Sequence, residues 1–94
     1  MRSADIYRRA ACLIHRWGLC KGTYRSGSQH CVMSAINDAF YSVTQRMDAH
    51  RPLGFIADHN YARVFAFNDH PNTTAEHVET LLCLCAAMVE QGYQ

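Results

Sequence analysis

The stretch "FAFNDHPNTTAEHVETLLCLC", residues 65–85, reads as a change of direction between two helices. Just before and within it, Tyr61, Val64 and Phe65 recur at helical spacing, and Asn68 falls on the same face one turn after Phe65. An amide at the end of an apolar stripe needs partners, because a buried unpaired one costs about 1–3 kcal/mol. Asn68 is therefore expected to bind loop backbone as the chain leaves its helix. Pro71 disfavours helical geometry at His70 and separates the two helices. Thr73 and Glu76 match the capping-box pattern TxxE, and Thr74 is an alternative cap one residue on. Beyond the cap, Val78, Leu81, Leu82, Cys85, Met88 and Val89 form one stripe, with Gly92 as stop and Glu79, Cys83 and Glu90 on the opposite flank. That spacing predicts a buried Cys85 and a largely exposed Cys83.

The same periodicity extends outward from this corner. Val32, Ala35, Ile36, Ala39, Phe40 and Val43 predict a helix from about residue 31 to about 45, broken by Pro52 and Gly54 in "DAHRPLGF". The helix carrying Tyr61 begins with Asp58 as cap. At the N-terminus, Ile6, Ala10, Leu13, Ile14 and Trp17 predict a helix over residues 4–17, with Ser3 as cap and Gly18 as end. Arg9 and Arg16 fall on the flank of that stripe, where their stems can cover apolar surface, and Asp5 precedes Arg9 by a favourable four residues. Between helices one and two, "GLCKGTYRSGSQHC" has three glycines in fourteen residues and a Ser26-Gly27-Ser28 turn signal. The expected fold is a compact all-α domain of four helices, residues 1–94, with a short Gly-rich loop or small β-hairpin between the first two.

Composition narrows the functional classes. With 49% apolar residues the chain is long enough to bury one core. Its longest uncharged apolar run, residues 81–89, is far short of the ~20 needed to span a bilayer. The N-terminal segment interrupts its apolar residues with Asp5, Arg8, Arg9, His15 and Arg16, unlike a signal peptide. Five cysteines without a regular framework fit reduced thiols, so a cytoplasmic location is expected. Formal charge is +1, but residues 1–25 hold Arg2, Arg8, Arg9, Arg16, Lys21 and Arg25 against Asp5. Residues 69–94 hold Asp69, Glu76, Glu79 and Glu90 and no Lys or Arg. This asymmetry predicts mutual attraction of the terminal helices, ahead of a polar partner surface.

Two segments together, "WGLCKGTY…HCVMSAI" and "FAFNDHPNTTAEHV", carry a resemblance through a structural motif of Trp17, Cys20, Gly22, Cys31, Asn68, Asp69, Pro71 and Thr74, of which all but Trp17 are the most specific pieces. From about Ile6 to Val89 the chain resembles a family of small actinobacterial and actinobacteriophage proteins classed as a domain of unknown function. In that pattern a first helix ends in Gly-Trp-Cys-Gln-Gly or similar, a Cys opens an alanine-rich helix, and Trp-Asn-Asp-x-Pro-Gly-Arg-Thr precedes the last helix. Here Lys21 stands for the Gln, Phe67 for the Trp, and Asn72-Thr73 for Gly-Arg. The resemblance implies no established activity; it implies an actinobacterial or phage setting, and with it a host protein as partner.

These residues bear on four chemistries. Cys20, Cys31, His30 and His15 could converge on zinc if residues 18–31 form a hairpin, yet the close pairs of structural sites, such as CxxC, are absent, and buried packing thiols are the plainer reading. "CLC" at residues 83–85 places its thiols on different helix faces. Cys20 or Cys31 with His70 and Asp69 could make a nucleophilic set, but no nucleophile signature surrounds either cysteine, and no catalytic residue is assigned. Arg2, Arg9, Arg16 and Lys21 with Tyr24 give a modest basic stripe, and a pI of 7.7 falls short of a nucleic-acid footprint. Protein binding asks least. Tyr7, Tyr24, Arg25, Tyr41, Phe67 and Tyr93 are interface-enriched types, several of them off the core stripes, and Leu84 lies off the stripe of the last helix. The expected function is thus a non-enzymatic interaction module using Arg9, Arg16, Lys21, Tyr24, Arg25 and Phe67; the resemblance implies that it is bacteriophage-encoded, acts in the cytoplasm of the host cell and binds an actinobacterial host protein. A homodimer seam is the second partner option; neither nucleic acid nor a membrane is expected, and no cofactor is assigned. The alternative is a small metal- or ligand-binding protein using Cys20, Cys31 and Asn68.

Overall fold

The computed structural model describes residues 2–44 and 61–91. The break at Pro52 and Gly54, the cap at Asp58, the stop at Gly92 and the aromatic Tyr93 lie outside the described residues, as do the side chains of Arg2, Ser3, Val43 and Tyr61. Four helices and one two-stranded hairpin are present among those described: α1 Arg2–Trp17, β1 Arg25–Ser26, β2 Gln29–His30, α2 Val32–Thr44, α3 Tyr61–Asp69 and α4 Ala75–Glu90.

Helix α1 packs on both α2 and α4, so it buries a wider arc than one stripe. Ala4, Ile6, Tyr7, Ala10, Ala11 and Ile14 are all buried, with Leu13 partly so. This corrects the reading of Tyr7 as a surface aromatic: it follows Ile6 and stands one turn before Ala10 and Ala11, inside the arc that two neighbours cover. Ser3 falls inside the helix, which starts at Arg2. Trp17, at the last position, is 44% exposed rather than part of the core stripe. The helix ends beyond it at Gly18, whose φ of 96° turns the chain while its N–H donates to the Ile14 carbonyl at 2.9 Å.

The following segment is the hairpin of the two expected options. β1 and β2 pair antiparallel, Arg25 with His30 and Ser26 with Gln29, around a turn containing Gly27 at φ 60°. Leu19 runs parallel to His30 on the other side. There the Cys20 N–H donates to the His30 carbonyl at 2.9 Å and the His30 N–H donates to the Gly18 carbonyl at 3.1 Å. So short a hairpin has little stability by itself; here it is pinned to α1 and to the start of α2.

In α2 the expected face, Val32, Ala35, Ile36, Ala39 and Phe40, is buried. In α3 the inward face is Val64, Phe67 and Asn68; Val64 and Phe67 pack partly against the core, whereas Phe65 is 39% exposed. The expectation that Phe67 stands out and Phe65 points in is therefore reversed. A helical face repeats at three and four residues, and Asn68, once fixed inward, selects Val64 and leaves Phe65 off the axis of the stripe.

Helix α4 is capped by Thr74, not by the Thr73–Glu76 pair. The Thr74 hydroxyl accepts from the His77 N–H at 3.2 Å, and His77 Nδ1 accepts from the Thr74 N–H at 3.1 Å. A histidine thus fills the position that glutamate usually holds in this box. Thr73 is buried instead, its N–H donating to the His70 carbonyl at 3.0 Å. Val78, Leu82, Cys85 and Ala86 face the core, and Cys83 is exposed as expected. Helices α1 and α4 run antiparallel. Arg8 donates to both Glu90 oxygens, at 2.6 and 2.8 Å, and His15 Nδ1 meets a Glu79 oxygen at 3.2 Å. The basic start and acidic end of the chain do attract one another.

Candidate functional site

The most tightly organised polar cluster lies where three segments meet: the loop after α1, the start of α2 and the end of α3. Asn68 is completely buried at its centre. Its Oδ1 accepts from the Val32 N–H at 2.9 Å, and its Nδ2 donates to the Cys20 carbonyl and to Asp69 Oδ1, both at 2.9 Å. Val32 opens α2, so its N–H has no carbonyl within the helix, and Asn68 supplies one from elsewhere in the chain. Cys31 completes the cap: its thiol accepts from the Ser34 N–H at 3.4 Å and its carbonyl from the Ala35 N–H at 3.0 Å.

Asp69 extends the cluster outward. It accepts from the Gly22 N–H at 2.9 Å, and that bond, with the Asn68 amide and nearby Lys21, holds its carboxyl below the usual carboxylate range. Gly22 adopts φ 73° with open space where a Cβ would stand, so the conformation rather than crowding favours glycine there. The Lys21 ammonium donates to the His70 carbonyl. His70 Nδ1 accepts from the Asn72 N–H at 3.1 Å in the exposed turn that contains Pro71. The motif residues Cys20, Gly22, Cys31, Asn68, Asp69, Pro71 and Thr74 thus converge on one corner, and Trp17 stands just before it.

The cysteines of the corner are buried. Burial first, and the neighbouring Cys31 second, push the Cys20 thiol up; its sulfur faces the Thr23 and Tyr24 carbonyls at 3.6 and 3.9 Å. Both Asp69 and His70 give their side chains to loop backbone. His15 sits elsewhere, exposed against Glu79. Among the described residues no group of three His, Cys, Asp or Glu side chains is placed to hold a metal ion.

A second polar cluster escaped sequence reasoning. His30 is buried, with Nδ1 2.7 Å from the Ser34 hydroxyl and 3.8 Å from Asp38 Oδ2. Serine, histidine and aspartate are thereby neighbours, but both oxygens approach the same ring nitrogen. A nucleophilic relay needs the two ring nitrogens on opposite partners. Burial pushes the His30 imidazole down, against the opposing pull of Asp38. The spacing 30, 34, 38 on consecutive turns was the available signal; it is hidden because His30 lies in β2 while Ser34 and Asp38 lie in α2.

The residues assigned to partner binding divide. Arg9 and Arg16 are exposed on α1, and the Arg16 guanidinium lies 5.0 Å from the centre of the Trp17 ring. Tyr24 is 45% exposed, and Asn37 Nδ2 donates to its hydroxyl. One Arg25 nitrogen donates to both Asp38 oxygens at 2.8 Å. Lys21 is tied to the corner, and Phe67 belongs to the core margin. Trp17, a residue of the structural motif, is a surface aromatic. Among the described residues no helix is long and apolar enough to cross a membrane.

No curated protein and no solved structure matches the chain. A family model does match, over residues 1–88, and that span includes both halves of the Asn68 corner and all four helices nearly entire. The chain belongs to DUF6197, a family of unknown function.

Proposed function

We propose that the protein is a non-enzymatic interaction module. Its partner is a host protein, and the setting, a bacteriophage chain acting in an actinobacterium, rests on the family resemblance. The observation that carries the reading is the exposed Trp17 ring with Arg16 stacked on it, followed by the half-exposed Tyr24. Trp, Tyr and Arg are the residue types that dominate interface energetics. Their support is already ordered. Asn37 holds Tyr24, Asp38 holds Arg25, and the Asn68 corner holds the loop between them and α1. A surface ordered in advance loses less side-chain and loop entropy on binding.

The test is capture of a partner from actinobacterial lysate, followed by calorimetric titration of the purified partner against wild type, Trp17→Ala and Tyr24→Ala. Phe67→Ala is unsuitable, since loss of core packing would imitate loss of binding. The expected result is saturable binding to the wild type, weakened roughly tenfold or more in the variants, about 1.4 kcal/mol, with unchanged unfolding midpoints. A folded wild type that titrates no partner, or variants that bind as well as wild type, overturns the reading.

A further inference from the structure

The seam between α1 and α4 opens outward as a groove of about 800 Å³ whose lining includes Ala11, Cys12 and Arg16 from α1 and Glu79 and Cys83 from α4. It continues over Thr80 to Leu84, which is 56% exposed. A single exposed leucine is ordinary. Its position next to Cys83, on the α4 side of a groove that holds two exposed thiols between rims of opposite charge, is less so. The α1 rim carries Arg8 and Arg16, and the α4 rim carries Glu79 with Glu76 three residues before it.

A face with a basic row beside an acidic row complements its own copy turned by 180° about an axis parallel to the helices. In that arrangement the α1 of each copy lies over the α4 of the other, and each row of charge meets its opposite. The levels along the seam follow from two contacts, Arg8 with Glu90 and His15 with Glu79. Both helices rise about 1.5 Å per residue, so the midpoints of those contacts, between residues 11 and 12 of α1 and between 84 and 85 of α4, stand level, and Cys12 falls level with about residue 84. Rotation about an axis along the helices preserves level, so Cys12 of one copy falls beside Cys83 and Leu84 of the other. Two 16-residue helices side by side, each about 24 Å long and about 10 Å across, give a footprint of roughly 500 Å², the size of a small interface beside the roughly 800 Å² per partner of a standard one.

We infer that the α1–α4 face is a self-association surface, occupied by a second copy of this chain in a two-fold dimer that sets Cys12 of each copy against Cys83 of the other. The inference does not rest on the partner reading above, although Arg16 borders both surfaces. Chains carrying Cys12→Ser and chains carrying Cys83→Ser are mixed, allowed to exchange and treated with diamide, which takes up the two electrons and two protons released as two thiols become one disulfide. The mixture is expected to give covalent dimer roughly tenfold or more above either variant alone, because only the mixture holds the facing pair at high effective concentration. Sedimentation equilibrium of the reduced wild type is expected to give twice the chain mass. Leu84→Glu is expected to give the single-chain mass with an unchanged helical circular dichroism spectrum. A reduced wild type that stays monomeric up to its solubility limit overturns the inference. So does either variant crosslinking alone as well as the mixture does. Should Leu84→Glu unfold, the crosslinking comparison decides by itself.

Discussion

His30 is a titratable ring in a place that resists charging. Burial lowers its proton affinity in the folded protein, with Asp38 pulling the other way and Arg25 adding to the burial. The sign of the pH effect follows directly. Below about 6.5, the ordinary value, the unfolded chain binds a proton that the folded chain binds less readily. Stability from this residue is therefore present at neutral pH and falls as pH falls through that value towards the folded one, by at most about 1.4 kcal/mol per pH unit for a single proton. Urea midpoints at pH 7.5 and 5.5 are expected to drop more in wild type than in His30→Gln. Equal drops in the two proteins would remove His30 as the cause. Sequence reading had entered His30 only as a metal ligand, because its burial depends on Leu19 and Ser34 flanking it, and that is a tertiary fact.

At the level of elements, the corner depends on one side chain joining three segments. Asn68→Ala removes the acceptor for the Val32 N–H and the donor for the Cys20 carbonyl, leaving two buried backbone groups without that partner. The expected loss is about 3 kcal/mol in denaturant unfolding. Asn68→Asp has nearly the same shape, yet it sets oxygen against the Cys20 carbonyl and a second carboxylate beside Asp69, so it is expected to be no better than the alanine. An aspartate variant as stable as wild type would show that the donor half of the amide does nothing. The need of Asn68 for backbone partners was legible, since a polar residue ended an apolar stripe; the identity of those partners was not, because Val32 and Cys20 are 36 and 48 residues away. Helix α4 was legible almost to its ends for the complementary reason that it shows the core one stripe, and α2 was legible in extent although its first turns, residues 31–36, are buried all round. Tyr7 and Phe67 were misread where that simplicity fails. α1 is covered on two sides, and three apolar positions in α3 were too few to fix the phase of its face. Thr74 lost to Thr73 because the familiar pattern asks for Glu or Gln, and a histidine ring nitrogen accepts the same hydrogen bond.

Across the whole molecule, the thiols map inside from outside. Cys12 and Cys83 are exposed, whereas Cys20, Cys31 and Cys85 are buried, and burial pushes Cys85 up to about 11. Since the thiolate is the reactive form, a dilute sample at pH 8 is expected to release two equivalents of thiol to an aromatic disulfide reagent quickly. The remaining three should follow at the rate of unfolding. Five equivalents in a single fast phase would contradict the core described here. The charge asymmetry of the chain was legible at this scale and resolves into the Arg8–Glu90 and His15–Glu79 contacts. The surface aromatics were legible as a class but not one by one, because exposure is decided by neighbours that composition does not reveal.

The Asn68 amide also orders events in time. Val32 leaves the ribosome 36 residues before the side chain that caps it, and closing a loop of that length costs roughly 3 kcal/mol of chain entropy. During synthesis the first turn of α2 must therefore rely on Cys31 alone, and the nascent α1, hairpin and α2 form an incomplete unit until α3 arrives. The corner acts as the latch of the fold, closed late, and a chain stalled before residue 68 would present the open start of α2 to whatever else is in reach.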